Sequence, residues 1–157
     1  MNESFAFFAA ALPLALAAGF SDLRTMTIPN WISMALVALF VLVGAIFLPW
    51  DILAWRLAAG LLVLVLLFFA NSAGIMGGGD AKLLAASAPY VAYADVAPAL
   101  LILSVCMIAT LILHRIARSL DFVRNLAPEW KSWSAGRHFP MGISIASALI
   151  IYLYTKL

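Results

Sequence analysis

Long apolar stretches separated by short polar segments form the main pattern of this chain. Six of them approach the length of about 20 mostly apolar residues that a membrane-spanning helix needs. The fourth is short and contains Pro89, so its helix is expected to start as early as the glycine run before it. The pattern predicts a single-domain, all-α polytopic membrane protein over 1–157, with transmembrane helices at 5–20, 31–48, 52–70, 81–94, 96–113 and 139–153.

The segment 114–138, between the fifth and sixth stretches, has a pattern of its own. Its apolar residues recur at near-helical spacing, with arginines off that stripe, which predicts a short interfacial helix ending near Pro128. Trp130 and Trp133 would follow at the level of the lipid headgroups. The segment is interpreted either as a positively charged anchor or as a docking surface for a substrate or anionic lipid. The apolar stripe consists of Ile116, Leu120, Val123 and Leu126.

Composition and charge support the membrane assignment and orient the chain. The sequence is 66% hydrophobic and 10% charged, whereas soluble domains carry about 25% charged residues. A net charge of +2 without a basic aromatic patch argues against nucleic acid as a partner. Most basic residues follow the first, third and fifth stretches, so these loops are predicted to be cytoplasmic and both termini external. These residues are Arg24, Lys82, Arg115, Arg118, Arg124, Lys131 and Arg137.

Two aspartates differ from the other three in the chain. Asp22 closes the first stretch and Asp80 opens the fourth, so the topology places both at one depth on the cytoplasmic side. Asp51, Asp95 and Asp121 are interpreted as solvated polar residues at span ends or in the long loop. An ionisable residue at membrane depth is a functional-site hypothesis by default. A pair at one depth strengthens that hypothesis.

A pair of carboxyl groups suits aspartic proteolysis. One carboxylate activates a water molecule while the other, kept protonated, donates a hydrogen bond to the scissile carbonyl. The helix dipole favours the charged form of Asp80 at a helix N-terminus and disfavours it for Asp22 at a helix C-terminus. Asp80 is therefore predicted to be the base and Asp22 the acid, although the roles can exchange during turnover.

Residues around the pair have structural alternatives as well as functional ones. Gly77, Gly78 and Gly79 are interpreted either as an exposed backbone edge for an extended substrate or as a tight turn between closely packed helices. Pro29 begins the second helix and Asn30 is a candidate cap.

The remaining polar groups are also weighed against simpler roles. Arg24 is a candidate salt-bridge partner of Asp22, and Lys82 a candidate for helix-end electrostatics beside Asp80. His114 and His138 are too few for a metal site. The single cysteine, Cys106, is expected to be a packing residue. No metal or other cofactor is expected.

Three segments resemble type IV prepilin peptidases. "SDLRTMTIPNW", from Ser21, resembles the first catalytic segment of that family, and "GGGDAKLLAA", from Gly77, is similar to its GxGD motif with the following lysine. The late segment "FPMGISIASA" is similar to the opening of the family's last span. The combination of both motifs in this order is more specific than GxGD alone.

The resemblance implies an aspartic endopeptidase of the bacterial inner membrane that removes the basic leader of prepilins or pilin-like membrane proteins at the cytoplasmic face. By motif position, Asp22 and Asp80 would be the catalytic pair. Gly77–Gly79, Lys82, Arg24, Pro29 and Asn30 would bind substrate or shape the site. The lipid bilayer and the pilin would be the partners.

One departure from the longer family members is informative. Many of them carry a cytoplasmic domain with paired CxxC motifs that is linked to N-methylation of the pilin. This chain has one cysteine and a first loop of about ten residues by the predicted span limits. N-methyltransferase activity is therefore not expected in this chain, which resembles the short peptidases of tight-adherence (Flp-type) pilus systems.

Two other classes of function remain open on sequence grounds. A small transporter or channel could use Asp22 and Asp80 to relay protons or cations, although such a site is expected near the bilayer midplane. An assembly platform for a pilus would not require both carboxyl groups.

Overall fold

The computed structural model describes residues 2–136 and 138–157, and the described chain is helical, without β-strands. This confirms the predicted all-α fold of a polytopic membrane protein. Seven α-helices are formed within these residues: α1 Glu3–Thr25, α2 Asn30–Phe47, α3 Trp50–Ser72, α4 Gly78–Ser87, α5 Val96–Ser119, α6 Asp121–Leu126 and α7 Met141–Tyr154. Short 3₁₀ turns occupy Ala88–Tyr90, Tyr93–Asp95 and Lys131–Ser134.

The described helices differ in their ability to cross a membrane. Four of them, α1, α2, α3 and α5, are long and apolar enough, and the 14-residue α7 is a shorter apolar helix. The prediction of a full fourth span over 81–94 is wrong, because α4 has only ten residues. At 1.5 Å per residue it is about 15 Å long, half of the hydrocarbon thickness of about 30 Å. The chain leaves the α-helix at Ser87, and Pro89 then lies in a 3₁₀ turn.

Two helices extend further than predicted. The first continues through Asp22 and ends at Thr25, where Met26 adopts a left-handed conformation with φ of 56°. The fifth continues to Ser119, so residues 114–119 are not part of a loop. Neither extension contains glycine or proline, and polar residues alone do not stop a helix that leaves the hydrocarbon region. The predicted short helix before Pro128 is present as α6 but begins only at Asp121, so Ile116 of the predicted stripe belongs to α5 and Leu120 lies between the two helices. Arg137 lies outside the described residues.

The first and last helices form the main pair of the bundle, antiparallel to one another. Small residues of α1 allow this close packing, since Ala11, Ala15 and Ala18 are fully buried. A Cβ atom at Gly19 would lie 3.4 Å from the Cα atom of Ile143. Small residues are the usual means of close helix contact in membranes. The last turn of α1 is thereby held against the first turn of α7.

The short α4 lies inside the bundle, where it packs against α2, α3 and α7. After its last turn, the hydroxyl of Tyr90 donates a 2.9 Å hydrogen bond to the carbonyl oxygen of Leu36 in α2. The ring of Tyr90 also packs edge-on against Phe7 and Phe40. Near its start, Lys82 bonds to α2 as well, as described below. Contacts at both ends therefore position α4 and the aspartate at its start.

At the end of the bundle opposite Asp22, polar side chains also connect the helices. Asp95 accepts a 3.0 Å hydrogen bond from the hydroxyl of Tyr152 and lies 2.8 Å from the ammonium group of Lys156. The interpretation of Asp95 as a merely solvated residue is therefore wrong, because its carboxylate connects the turn before α5 to α7. Asp121 is likewise paired, with Arg124 of α6. Asp51 is exposed at the start of α3, as expected.

Candidate active site

Asp22 lies in the last turn of α1 and is almost fully buried, with 5% of its surface exposed. Its Oδ2 atom accepts a 2.6 Å hydrogen bond from the backbone N–H of Gly142, in the first turn of α7. A side chain at Gly142 would collide with this carboxyl group, because its Cβ atom would lie 2.8 Å from Oδ2. Since Oδ2 accepts the amide proton, a proton carried by Asp22 would sit on Oδ1.

Asp80 is the third residue of α4 and is partly buried. Its Oδ2 atom lies close to the backbone of Gly77, where an added Cβ atom would be only 2.8 Å away. Burial, together with the nearby carboxyl group of Asp22, raises the pKa of Asp80 from 3.8 to about 6. Any side chain at position 77 would thus crowd the carboxyl group, which explains one glycine of the run.

The two aspartates line one pocket of about 340 Å³. They are 58 positions apart in the sequence and reach the pocket from the C-terminal end of α1 and the N-terminal end of α4. The loop between α1 and α2 closes one side, and the glycine run forms the other. The remaining lining residues are Met26, Thr27, Ile28, Asn30, Gly77, Gly78 and Gly79.

The glycine run is less extended than the substrate-edge interpretation requires. Only Gly77 has an extended backbone, with φ of −66° and ψ of 140°, while Gly78 and Gly79 already belong to the first turn of α4. Ile28 packs at ordinary contact distance on the position that a Cβ atom of Gly79 would take. The carbonyl oxygen of Gly77 already accepts a 3.0 Å hydrogen bond from the backbone N–H of Ala81, and that of Met76 accepts one from the side chain of Asn71. An extended peptide would therefore find little unbonded backbone here.

The structure places some of the other predicted site residues at the pocket and others outside it. Asn30 lines the pocket and accepts a 3.0 Å hydrogen bond from the ammonium group of Lys82. The prediction that Asn30 caps α2 is wrong: Pro29 holds the N-cap position, and Asn30 is the first helical residue. Arg24 is exposed outside the pocket, and the described residues show no salt bridge between it and Asp22.

Comparison with known protein families identifies the chain. The model of the type IV leader peptidase family matches residues 9–113. The chain belongs to this family. It is therefore a peptidase, and its apolar helices make it a multi-pass membrane protein. No curated protein and no solved structure gives a significant match.

Family membership favours peptidase chemistry over transport or a purely structural role. The region that matches the family model includes both Asp22 and Asp80 but ends before α7. Gly142, the hydrogen-bond donor to Asp22, lies outside it and was not among the predicted site residues. The only sequence signal for Gly142 was the segment that resembles the family's last span. Met26 and Thr27 were also not predicted, because backbone conformation rather than side-chain chemistry brings them to the pocket.

A second group of residues, absent from the predicted site, surrounds His114 in α5. This side chain is buried, and among the residues that the structure describes neither ring nitrogen has a hydrogen-bond partner. Its ring stacks on Trp133 with a centroid distance of 5.4 Å, and Trp133 stacks on Trp130. Trp130 in turn meets Phe20 of α1 edge-on. The two tryptophans predicted for the headgroup level therefore also connect the long loop to the bundle.

Proposed function

We propose that this chain is an aspartic endopeptidase that removes the basic leader of prepilins or pilin-like proteins at the cytoplasmic face of the bacterial inner membrane. Asp22 and Asp80 are its catalytic pair. The observation that carries the proposal is the shared pocket, which is lined by two carboxyl groups from distant parts of the sequence.

A pocket lined by two carboxyl groups suits hydrolysis by a water molecule held between them. With Asp80 as the base, its carboxylate takes a proton from water as the water oxygen bonds to the scissile carbonyl carbon. Asp22, protonated on Oδ1, donates a hydrogen bond to the carbonyl oxygen, on which negative charge develops. The carbon–nitrogen bond then breaks, and the proton on Asp80 passes to the leaving amine. The products are a free carboxyl group and a free amine.

Charge distribution supports a basic substrate segment at this pocket. Two carboxyl groups at one site attract a positively charged leader, while the exposed Arg24 and Lys82 moderate that attraction. Arg118, whose guanidinium group donates a 2.8 Å hydrogen bond to the carbonyl oxygen of Gly136, belongs to the same end of the bundle. By the positive-inside rule this basic end is cytoplasmic. Cleavage on that side leaves the hydrophobic part of the substrate in the membrane.

Replacement of each aspartate by asparagine tests the proposal. Asp22→Asn and Asp80→Asn should each slow processing of a co-expressed pilin-like protein by about 10²- to 10⁴-fold, the usual contribution of a general acid or base. The control is Asp51→Asn, which changes an exposed carboxyl group at the other end of the bundle. Immunoblots of the membrane fraction verify insertion. Normal processing by either active-site variant would refute the assignment of the pair.

A further inference from the structure

A large apolar groove lies on the membrane-facing side of the bundle, away from the pocket of the aspartates. Its volume is about 890 Å³. One wall is α3, the other is α5, and these two helices make almost no contact with one another. The floor consists of α7 and the second half of α4 with its following turn. Leu62 of α3 and Leu100 of α5 line the walls and are more than half exposed.

The groove and the aspartate pocket share no lining residue, but the same two helices, α4 and α7, carry residues of both sites. On α4, Leu84 lines the groove and follows Asp80 by one turn, and Ala88, in the 3₁₀ turn after α4, lines it four residues further on. Residues four apart lie on the same face of a helix. On α7, Ile145 and Leu149 line the groove and share a face with Gly142, the residue that binds Asp22. A chain in the groove would therefore end near the two carboxyl groups.

The size and lining of the groove match a helix better than a lipid chain. An α-helix with its side chains is about 10 Å wide, so a groove of this volume holds about two turns. Seven of the 21 lining residues are alanine or serine, including Ala59, Ala88 and Ala148. Inside a membrane, burial of apolar surface drives helices together only weakly, and close backbone approach over small residues takes its place.

We propose that this groove binds the hydrophobic membrane helix of the substrate, which reaches it laterally between α3 and α5. The proposal rests on the proposed function and adds the path by which the substrate is presented. The helix lies along α4 and α7, and the extended segment before it reaches Asp22 and Asp80. The acidic pocket and the apolar groove thus match the two parts of the substrate, a basic leader followed by an apolar helix.

Filling the groove with larger side chains tests whether it binds the substrate helix. Leu62→Trp and Leu100→Trp should raise the KM for a full-length pilin-like substrate at least about tenfold, the smallest usual effect of altered bulk in an apolar pocket, with kcat within about twofold. Leu61→Trp and Leu101→Trp are matched controls, because these neighbours are equally exposed but do not line the groove. Equal effects of groove and control variants would overturn the proposal.

Disulfide crosslinking gives an independent result if a tryptophan variant folds poorly. In a Cys106→Ala background, which removes the single native cysteine, Leu62→Cys should crosslink to cysteines placed in the substrate helix, whereas Leu61→Cys should not. The Asp80→Asn change keeps the substrate uncleaved during the measurement. Crosslinking only to a second copy of the enzyme would overturn the proposal. It would also be overturned if a groove variant no longer co-purified with a phospholipid while its KM for the substrate stayed the same.

The same experiments separate the failure of this inference from failure of the proposed function. If the wild-type enzyme cleaves no pilin-like protein, the proposed function is wrong, whatever the groove binds. If it cleaves the substrate but the crosslinks at Leu62 and Leu61 are the same, only the groove assignment is wrong.

Discussion

The hydrogen bond from Gly142 to Asp22 makes a sharp prediction about an uncharged residue. In a Gly142→Ala variant the new Cβ atom would lie 2.7 Å from Cδ1 of Ile28, 2.8 Å from Oδ2 of Asp22 and 3.0 Å from Cβ of Asp22. Carbon atoms in contact normally lie about 3.5–4.0 Å apart. The side chains of Ile28 and Asp22 must therefore move by roughly 0.5–1 Å, and the 2.6 Å hydrogen bond is lengthened.

The displacement determines the expected magnitude. A misplacement of about 1 Å in a catalytic group can reduce the rate by about 10²-fold, so kcat should fall by about that factor. Overpacking of this kind costs about 1–3 kcal/mol of folding free energy, so a part of the loss in activity could come from reduced stability. The rate per correctly folded molecule is therefore the quantity to compare.

Gly19→Ala is the matched control, because it adds the same methyl group at the same α1–α7 contact. Its Cβ atom would lie 3.4 Å from Ile143 and touches neither aspartate. Both variants are purified in detergent, checked by thermal unfolding, and assayed by single-turnover cleavage of a pilin-like substrate. We expect Gly19→Ala to stay within about threefold of the wild-type rate. A Gly142→Ala enzyme as active as Gly19→Ala would show that Gly142 does not position Asp22.

Three further predictions concern pH, the α2–α4 contact and the histidine stack. Because the pKa of Asp80 is raised to about 6, the ionised base is lost as the pH falls through that value. The value of kcat/KM should therefore drop about tenfold per pH unit below pH 6, and a decline that begins only near pH 4 would contradict this. Lys82→Met removes the 3.0 Å hydrogen bond to Asn30 and should reduce kcat/KM by about two- to tenfold. Adding Asn30→Ala to that variant should reduce kcat/KM little further, and additive losses would show that the two residues do not act together. His114→Phe keeps a ring stacked on Trp133 without the unbonded nitrogens and should leave the Tm unchanged or higher, whereas His114→Ala should lower the free energy of unfolding by about 2 kcal/mol or more. A lower Tm in the Phe variant would reveal a polar role for His114.

Local patterns were sufficient for much of the fold. Long apolar stretches predict membrane helices because a backbone in hydrocarbon has to satisfy its own hydrogen bonds, and α1, α2, α3 and α5 follow directly from them. Asp22 and Asp80 could be singled out because charged residues are rare and costly in such surroundings. Counting spans then placed both aspartates at one end of the bundle, where they line one pocket.

The ends of the helices were harder to predict from the sequence, because polar residues mark the edge of the membrane rather than the end of a helix. Residues 114–119 are polar enough to suggest a loop, yet they continue α5. The shortness of α4 was also missed. An apolar segment such as 81–94 has the same composition whether it crosses lipid or lies inside the protein, and in this chain it lies between α2, α3 and α7.

The chain's order of apolar and charged residues was thus enough to establish a membrane protein with two exceptional carboxyl groups. Only the tertiary structure showed that Asp22 bonds to Gly142, that Asn30 accepts from Lys82 instead of capping its helix, and that a groove separates α3 from α5. The physical reason is that each of these contacts joins helices distant in the sequence. Their formation depends on interhelical packing distances, which in this bundle are set by small residues such as Gly142 and Ala18 and have no local signal.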